Sequence, residues 1–365
     1  MSNIRSLSAP LAPGATIGIL GGGQLGRMLA LAAARLGFKT HIYSDESESC
    51  AFLVTSSATR GGYHDQDKLK EFAAACDVVT FEFENVPDAT AEFLATHVPV
   101  APDARALKVA QDRLLEKNFI AELGIATAPF RAVASEEDIF GAFRALSAPA
   151  VLKTRRLGYD GKGQQIVKSA DEAVLAFSAL GAVPCILEQF VDFAFEASIV
   201  AARARDGTFA AYDPPKNEHE SHILRRSTVP APLSSERTSH AVAIALKIAE
   251  ALDYVGVLGV ELFVTHAGEI AVNEIAPRVH NSGHWTIEAC AVSQFEQHVR
   301  AIAGWPLGDP VRHSDAVMEN IIGKEVERWS GYAGRGGGLH IYGKRVARPG
   351  RKMGHITSLS PRPSV

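Results

Sequence analysis

Short apolar runs alternate with longer amphipathic runs in the first part of the chain. Thr16 to Leu20 and Lys39 to Ser44 are predicted strands, and Gln24 to Gly37 between them has the apolar spacing of a helix. A third predicted strand, Asp77 to Glu84, precedes the helical run Thr90 to His97. Strands that alternate with helices form βαβ units. The pattern therefore predicts an α/β domain with a parallel sheet.

The pattern changes after a long predicted helix, which runs from Asp103 to Leu123 and ends at Gly124. A helix from Ser234 to Leu252 is predicted further on, and short strands with glycine-rich turns begin at Trp305. The predicted strands between the two helices are Ala148 to Thr154, Gly158 to Val167, Cys185 to Val191 and a pair within Ser198 to Ala211. The chain thus combines α/β and α+β parts.

The stretch after the second of these helices predicts a β-hairpin with two facing carboxylates. Val255 to Thr265 and Glu269 to Ile275 alternate like strands around the turn residues His266-Ala267-Gly268. Folding about this turn sets Glu261 opposite Glu274, where like charges repel unless a positive charge lies between them. A few oxygen ligands suit Mg²⁺ that shares a substrate's phosphates. Two solvated carboxylates are the alternative.

A glycine-rich turn joins the first predicted strand to the first helix. The pattern G-x-G-x-x-G from Gly21 to Gly26, with Asp45 near the end of the next strand, matches the dinucleotide-binding fingerprint. Backbone N–H groups at a helix N-terminus bind any phosphate, so NAD, another anion and tight packing all stay open. Glu82 and Glu84 end a later strand, at the edge where α/β sheets bind ligands. They are either ligand contacts or solvated carboxylates.

Two cationic features are candidates for phosphate binding. Lys153 ends an apolar strand, and the glycine loop Gly158 to Gln164 follows it closely enough to close over phosphates. A snorkelling lysine and a plain hairpin turn are the alternatives. Near the C-terminus, basic side chains bracket the turn Pro349-Gly350, which suits a phosphate monoester or is a solvated face. These basic side chains are Lys344, Arg345, Arg348, Arg351 and Lys352.

Composition limits the function classes. The chain has 365 residues, enough for more than one domain, and a net charge of −4, which gives no general attraction to nucleic acid or anionic membranes. Its four cysteines are scattered without a C-x-x-C pair, as is typical of the reducing cytoplasm. The N-terminus lacks the apolar core of a signal peptide, and no apolar run approaches the length of a membrane span. We expect a cytoplasmic protein that acts on small molecules.

Several motifs in order resemble those of the ATP-grasp ligases. They are G-G-G-Q-L-G-R-M from Gly21 to Met28, G-Y-D-G-K-G-Q from Gly158 to Gln164, N-E-x-A-P-R-x-H-N-S-G-H-x-T from Asn273 to Thr286, and R-P-G-R-K-M-G-H from Arg348 to His355. The fit is closest to the family of 5-(carboxyamino)imidazole ribonucleotide synthases and covers nearly the whole chain from about Ala15. The resemblance implies an ATP-grasp fold. Its expected parts are a Rossmann-like pre-ATP-grasp domain at 1–110, an ATP-grasp domain at 111–304 with a lid at roughly 126–190, and a small β-rich domain at 305–365.

The resemblance assigns an ATP site. Lys153 and the glycine loop contact the phosphates, and Glu261 and Glu274 hold Mg²⁺, with Mn²⁺ as the alternative. The loop residues are Gly158, Tyr159, Asp160, Gly161, Lys162, Gly163 and Gln164. The other implied ATP-binding residues are Lys108, Glu188, Gln189, Phe190, Val191, Glu196, His219, Asn273 and Glu274. Leu157 stands where the family usually has glycine, and the residues around His219 differ most from the family's sequence pattern.

The resemblance also assigns the second substrate and the acid. The implied ribotide-binding residues are Gly23, Gln24, Leu25, Glu82, Lys344, Arg351 and Lys352. Glu82 would contact the ribose hydroxyls, and the three cations would hold the phosphate. Arg278, His280, Asn281 and Tyr159 are the implied catalytic residues, the first three of them beside bicarbonate.

The activity that the resemblance implies is the carboxylation of 5-aminoimidazole ribonucleotide with ATP and bicarbonate, through carboxyphosphate, in a homodimer. A formate-dependent glycinamide ribonucleotide transformylase would use a different acid and amine on the same scaffold. An NAD-dependent oxidoreductase would leave the hairpin carboxylates without a role. A non-catalytic nucleotide sensor is disfavoured because the carboxylates, Lys153 and the glycine loop are all present.

Overall fold

The computed structural model describes residues 6–158 and 161–362. The first part of the described chain alternates between strand and helix, as its pattern predicts, and its apolar central strands are buried. In chain order its elements are β1 (Thr16–Leu20), α1 (Gln24–Arg35), β2 (Lys39–Ser44), β3 (Ser57–Arg60), α2 (Gln66–Ala74), β4 (Val78–Phe81) and α3 (Asp88–Ala95). The four strands pair in parallel in the order β3-β2-β1-β4.

The second part forms an antiparallel sheet with helices against it. Its elements are α4 (Ala104–Ala110), α5 (Arg113–Glu122), β5 (Phe130–Val133), α6 (Glu136–Ala145), β6 (Ala150–Thr154), β7 (Gln164–Val167), α7 (Ala170–Ala179) and β8 (Cys185–Gln189). The strands pair in the order β5-β8-β6-β7. An apolar core fills the space between this sheet and helices α6 and α7.

The single long helix predicted from Asp103 to Leu123 is wrong, because the chain breaks it into α4 and α5. Asp112 has an extended backbone and caps α5, its carboxylate accepting the N–H of Leu114 at 3.0 Å. The same carboxylate binds Arg155 at 2.7 Å. An aspartate held by both partners favours the start of a new helix over the continuation of the old one.

The third part is a large antiparallel sheet with helices beside it. Its elements are β9 (Phe193–Arg203), β10 (Phe209–Ala211), β11 (Lys216–Glu220), β12 (Ile223–Val229), α8 (Ser235–Ala251), β13 (Gly256–Thr265), β14 (Ile270–Ala276), α9 (Thr286–Ala289), α10 (Gln294–Ile302), β15 (Ser314–Ile322), α11 (Trp329–Ala333), β16 (Gly338–Ile341) and β17 (Lys352–Pro361). The order is β14-β13-β9-β11-β12-β15-β17-β16, with β10 beside β9. Strands β12 and β15 are neighbours in this sheet, although they lie on opposite sides of the predicted domain limit at 304. The large sheet therefore extends across that limit, and the domain limits stay predictions.

The predicted hairpin is confirmed. Strands β13 and β14 are antiparallel, and Glu261 is paired directly with Glu274. The register then shifts, so that Leu262 pairs with Val272 and Asn273 is the extra residue of a β-bulge. Residues opposite each other in an antiparallel pair share a face of the sheet, so both carboxylates lie on the same side.

The turn between β1 and α1 holds a carboxylate of the protein itself. Glu82 is buried, and its two oxygens accept the backbone N–H groups of Gly23 at 2.8 Å and Gly26 at 3.0 Å. A Cβ atom at Gly23 would lie only 2.7 Å from the Glu82 carboxylate, so glycine is needed for this approach. An NAD pyrophosphate would have to displace Glu82 from the start of α1, and the fold thus disfavours the dinucleotide interpretation.

Among the described residues, no helix is both long and apolar enough to cross a membrane.

We expect Glu82→Gln to lower the free energy of unfolding by about 1.5–3 kcal/mol, the value of hydrogen bonds to a charged group. A carboxamide has only one accepting oxygen, so one of the two backbone N–H groups would face its NH₂ group. Urea unfolding measures the change, and Glu92→Gln on the exposed face of α3 is the matched control. Equal stability of the two variants would contradict the capping role of Glu82.

Candidate active site

The two antiparallel sheets, together with helix α1 and the loop that follows β4, line one cavity of about 900 Å³, a volume typical of ligand sites. Most of the predicted site residues line it. They are Gln24, Leu25, Lys153, Gly158, Gly161, Gln164, Glu188, Gln189, Phe190, Val191, Glu196, His219, Glu261, Asn273, Glu274, Arg278, His280, Asn281 and Lys352. The structure thus brings together side chains that are up to several hundred residues apart in the sequence.

Each of the two hairpin carboxylates has its own basic side chain as a partner. Arg113 donates to Glu274 at 3.2 Å, and His280 Nε2 lies 3.0 Å from Glu261. Burial would raise the pKa of Glu261, but the hydrogen bond and charge of His280 outweigh it and lower this pKa. The sequence suggested that a metal ion lies between Glu261 and Glu274. In the structure Arg113 and His280 already provide partners for these two carboxylates.

A buried ion cluster lies beside the hairpin. Glu188 is 2 % exposed and accepts from Lys153 at 3.0 Å, with Lys117 at 3.5 Å on the same oxygen. Burial would raise the pKa of Glu188, but the two lysines outweigh it and lower this pKa. Lys117 also donates to the carbonyl of Asn273 in the β-bulge at 2.7 Å. The cluster thus ties β8, α5 and β14 together.

A second charged pair closes another wall of the cavity. His219 Nδ1 lies 2.5 Å from the Glu196 carboxylate, on adjacent strands of the large sheet. Burial would lower the pKa of His219, but the Glu196 carboxylate outweighs it and raises this pKa. Both side chains of this pair line the cavity.

The loop after β14 places Arg278, His280 and Asn281 close to the carboxylates. Arg278 is ion-paired with Glu84, and this pairing outweighs burial and lowers the pKa of Glu84 to about 2. The side-chain oxygen and nitrogen of Asn281 are buried and have no hydrogen-bond partner among the described residues. An amide that lines a cavity without a partner is a ready contact for a ligand.

The basic C-terminal segment lies against the first part of the chain. Lys344 donates to the carbonyl of Lys352 at 2.8 Å, and Arg345 is ion-paired with Glu48. Burial lowers the pKa of Lys344 to about 8, although Cys50 and Glu82 act in the opposite direction. The basic segment and the glycine turn, which are more than three hundred residues apart in the sequence, therefore meet in the structure.

Comparison with known proteins identifies the family. The ribonucleotide synthetase preATP-grasp domain matches residues 14–111, the ATP-grasp domain matches 118–295, and the phosphoribosylaminoimidazole carboxylase C-terminal domain matches 316–364. The N5-carboxyaminoimidazole ribonucleotide synthase of Brucella melitensis is 52 % identical over 355 residues, which are 96 % of this chain and 98 % of that protein.

The chain belongs to the N5-carboxyaminoimidazole ribonucleotide synthase family.

Solved structures of this family have the same fold. The Staphylococcus aureus N5-carboxyaminoimidazole synthetase complexed with ADP is 34 % identical, with a TM-score of 0.92 over 96 % of this chain and 94 % of that one. The Aspergillus clavatus synthase in complex with ADP and 5-aminoimidazole ribonucleotide is 31 % identical, with a TM-score of 0.88 over 96 % and 94 %. The ATP-grasp fold inferred from the motifs is therefore confirmed.

Two of the residues expected from the resemblance with this family are placed elsewhere. Lys108 lies exposed on α4 and does not line the cavity. The break at Asp112 places Arg113 in the first turn of α5, where it lines the cavity. Glu82 caps α1, and Glu84 lines the cavity instead.

Gly23, Lys344 and Arg351 also do not line the cavity, and the residues of the glycine loop are placed as follows. Tyr159 and Asp160 lie outside the described residues. Gly163 and Lys162 belong to the glycine loop but do not line the cavity, and Gly161 and Gly163 have φ of +77° and +72°, which favours glycine there. Leu157 also has a positive φ, +63°, and its side chain is exposed. Leucine is strained at such a φ, which accounts for the glycine that the family usually has at this position.

Sequence reasoning missed the charged face of α5. Arg113, Glu116 and Lys117 line one side of this helix, and Glu116 and Lys117 are buried with Ile120. Burial raises the pKa of Glu116 to about 8, and the nearby Glu274 adds to this effect. The signal was available, because the four residues follow the i, i+3, i+4, i+7 spacing of a buried helix face.

We expect Arg113→Gln to lower kcat/KM for ATP by about one to two decades, because a charged contact contributes roughly 1.5–3 kcal/mol. Lys108→Gln removes the same charge from the exposed side of the neighbouring helix and should stay within about twofold of the parent protein. Phosphate release at varied ATP measures both. The reverse order of effects would restore Lys108 to the nucleotide site.

Proposed function

We propose that this protein is an ATP-dependent ligase that carboxylates the exocyclic amine of 5-aminoimidazole ribonucleotide with bicarbonate. The products are N5-carboxyaminoimidazole ribonucleotide, ADP and phosphate, in de novo purine synthesis. One observation carries the proposal. A single cavity is lined both by the facing carboxylates Glu261 and Glu274 and by Gln24 and Lys352 of the ribotide side. The names and bound ligands of the relatives support the same reaction.

The residues around the hairpin fit a magnesium ion. Glu261 and Glu274 present hard oxygen donors on one face of the hairpin, and the Asn281 amide beside them has no protein partner among the described residues. Few oxygen ligands are what Mg²⁺ uses when it also binds a substrate's phosphates, and Mn²⁺ accepts the same ligands. When bound, this ion would offset the negative charge of the ATP phosphates.

We assign the nucleotide to the side of the cavity that holds the ion cluster. Lys153 and Arg113 would bind the phosphates, and Glu188, Glu196 and His219 would surround the nucleoside. Strand β8 ends at Gln189, and Phe190 and Val191 follow it out of the smaller sheet. The backbone groups of these three residues would bind adenine. The glycine loop, with Tyr159 near its centre, would close over the phosphates and exclude water.

The acid would lie beside the loop that follows β14. Bicarbonate is a poor electrophile, so an oxygen of bicarbonate first attacks the γ-phosphorus and ADP leaves. The ribotide amine then attacks the carbon of carboxyphosphate, phosphate leaves, and the amine loses a proton. The guanidinium group of Arg278 suits bicarbonate and the carboxylate end of carboxyphosphate. His280 and Asn281 line the same side of the cavity.

The ribotide would occupy the glycine-turn side. Gln24 and Leu25 line the cavity there, and Lys344, Arg351 and Lys352 would bind the phosphate monoester. In this arrangement Glu82 acts on the ribotide indirectly, because it holds Gly23 and the start of α1 in place.

A homodimer and a cytoplasmic location complete the proposal. The dimer rests on the resemblance to the family. The location is supported by the free state of Cys50, Cys76, Cys185 and Cys290, since unpaired thiols are typical of a reducing compartment.

The reaction is tested by phosphate release from Mg-ATP. We expect release that requires both bicarbonate and 5-aminoimidazole ribonucleotide, and little release with formate and glycinamide ribonucleotide. The opposite preference would identify the formate-dependent relative, and the absence of turnover with either pair would identify a nucleotide sensor.

Two variants control this assay. Glu274→Gln should reduce turnover by at least about two decades, because it removes a hard oxygen ligand and the partner of Arg113. Glu269→Gln changes an exposed carboxylate just before the same strand and should have no effect. Normal turnover of Glu274→Gln at saturating Mg²⁺ would refute the metal assignment.

We expect Lys344→Ala and Arg351→Ala to raise the KM for the ribotide by about one to two decades with little change in the KM for ATP. Arg348→Ala is the matched control, since it removes a charge from the same segment at an exposed position. A larger effect on ATP than on the ribotide would mean that the two substrate sites have been interchanged.

A further inference from the structure

A group of histidine and glutamate side chains lies outside the cavity, on one face of the C-terminal strands. His340 on β16 is paired directly with His355 on β17, and their rings stack with centroids 4.4 Å apart. Glu288 of α9 reaches over this pair, and its Oε1 lies 2.7 Å from His340 Nε2. One nitrogen or oxygen of each residue can be chosen so that the three atoms lie within 4.8 Å of one another.

A glycine makes room for this group. A Cβ atom at Gly338 would lie 2.3 Å from Cγ of Glu288 and 2.6 Å from Oε1. Gly338 is two residues before His340 on the same strand, so it shares the face of the sheet that carries the histidines. Any other residue here would push the carboxylate away from them.

Unpaired polar atoms are concentrated on the same face. Among the described residues, His355 Nε2, Glu288 Oε2, Asn320 Oδ1 and Thr357 Oγ1 are buried without a hydrogen-bond partner. Asn320 is paired with His355 across β15 and β17, and Thr357 follows His355 by two residues, so their side chains point the same way. Native proteins seldom leave several neighbouring buried polar atoms unpaired, which indicates a ligand at this place.

We propose that Glu288, His340 and His355 form a binding site for a divalent metal ion of the zinc class, separate from the Glu261–Glu274 pair. Two imidazoles and one carboxylate are a common zinc donor set, and the fourth position is free for water. Bonds of about 2.0–2.2 Å place tetrahedral ligand atoms roughly 3.3–3.5 Å apart. The three atoms lie within 4.8 Å of one another, so the ligands would have to move closer by at most about 1.5 Å to reach these separations. Asn320 and Thr357 are placed to hydrogen-bond the water.

The second nitrogen of His355 supports this role. Its Nδ1 lies 2.7 Å from the hydroxyl of Tyr342. When Nδ1–H donates to this oxygen, Nε2 carries the lone pair that a metal requires. Histidine ligands of metals generally have such a partner, which sets the tautomer and the orientation of the ring.

The position of the site gives the metal a structural task. Helix α9 follows the loop that carries His280 and Asn281, and β17 begins with Lys352. A metal held by both elements would fix the proposed bicarbonate side of the cavity relative to the proposed ribotide side. This consequence rests on the proposed function, whereas the metal site itself does not.

Metal content tests the proposal without substrates. Untagged protein is stripped with a chelating resin, loaded with Zn²⁺, dialysed and analysed by mass spectrometry of the metal. We expect about one zinc per chain in the parent protein and in Glu274→Gln, which lacks one of the two carboxylates of the proposed magnesium site. His340→Gln and Glu288→Gln should weaken zinc binding by more than about 100-fold, because loss of a supporting partner alone costs 10–100-fold. His266→Gln, at an exposed turn, is the matched histidine control and should bind like the parent.

A second measurement, the absorption spectrum of bound Co²⁺, does not require the zinc-site variants to fold. The parent protein loaded with Co²⁺ should have the visible absorption of a tetrahedral site, and Glu274→Gln should keep it. No zinc in the parent, zinc retained equally by His340→Gln, or no tetrahedral Co²⁺ spectrum would each overturn the site. The group would then be an ion pair with ordered water only.

Discussion

Charge compensation in the central cavity is the constraint on which the rest of the structure depends. A buried carboxylate is costly unless a cation lies beside it. The pairs in and around the cavity are Glu274 with Arg113, Glu261 with His280, Glu84 with Arg278, and Glu188 with Lys117 and Lys153. Most partners come from distant parts of the sequence. Glu274 and Glu84 are therefore compensated only when separate parts of the chain assemble, which links formation of the site to formation of the fold.

The same pairing prepares the cavity for anions. In the proposed arrangement, Arg113 and Lys153 would lie between carboxylates of the protein and the phosphates of the nucleotide, and Arg278 would have the same position toward bicarbonate. Their carboxylate partners hold these cations in place before a substrate arrives, so little reorganisation is needed when it binds. An apolar wall would be as stable but could not supply this charge. The buried cluster at Glu188 thus serves both the junction of β8, α5 and β14 and the proposed chemistry.

Local patterns were sufficient for much of the fold but not for partners distant in sequence. The strands Thr16–Leu20 and Lys39–Ser44 have the predicted bounds, and the hairpin pairs Glu261 with Glu274, because apolar alternation and turn residues act locally. Asp112, the N-cap at the break, also binds Arg155, a partner that no local pattern reveals. That break placed Arg113 in the cavity and Lys108 outside it. The motifs named the family and many of the residues that line the cavity, whereas the ion pairs required the assembled structure.

The glycine turn illustrates how one sequence pattern serves two kinds of anion. The pattern predicts a helix N-terminus whose N–H groups face an anion, and this physical content is correct. The anion is the carboxylate of Glu82 rather than a pyrophosphate, and the missing side chain at Gly23 allows its approach. Because the Glu82 carboxylate occupies N–H groups at the start of α1, the phosphate of the proposed ribotide would need cations from elsewhere in the chain. The basic segment around Lys344 lies against this part of the chain. The end of the chain therefore supplies the charge that the start of α1 no longer offers.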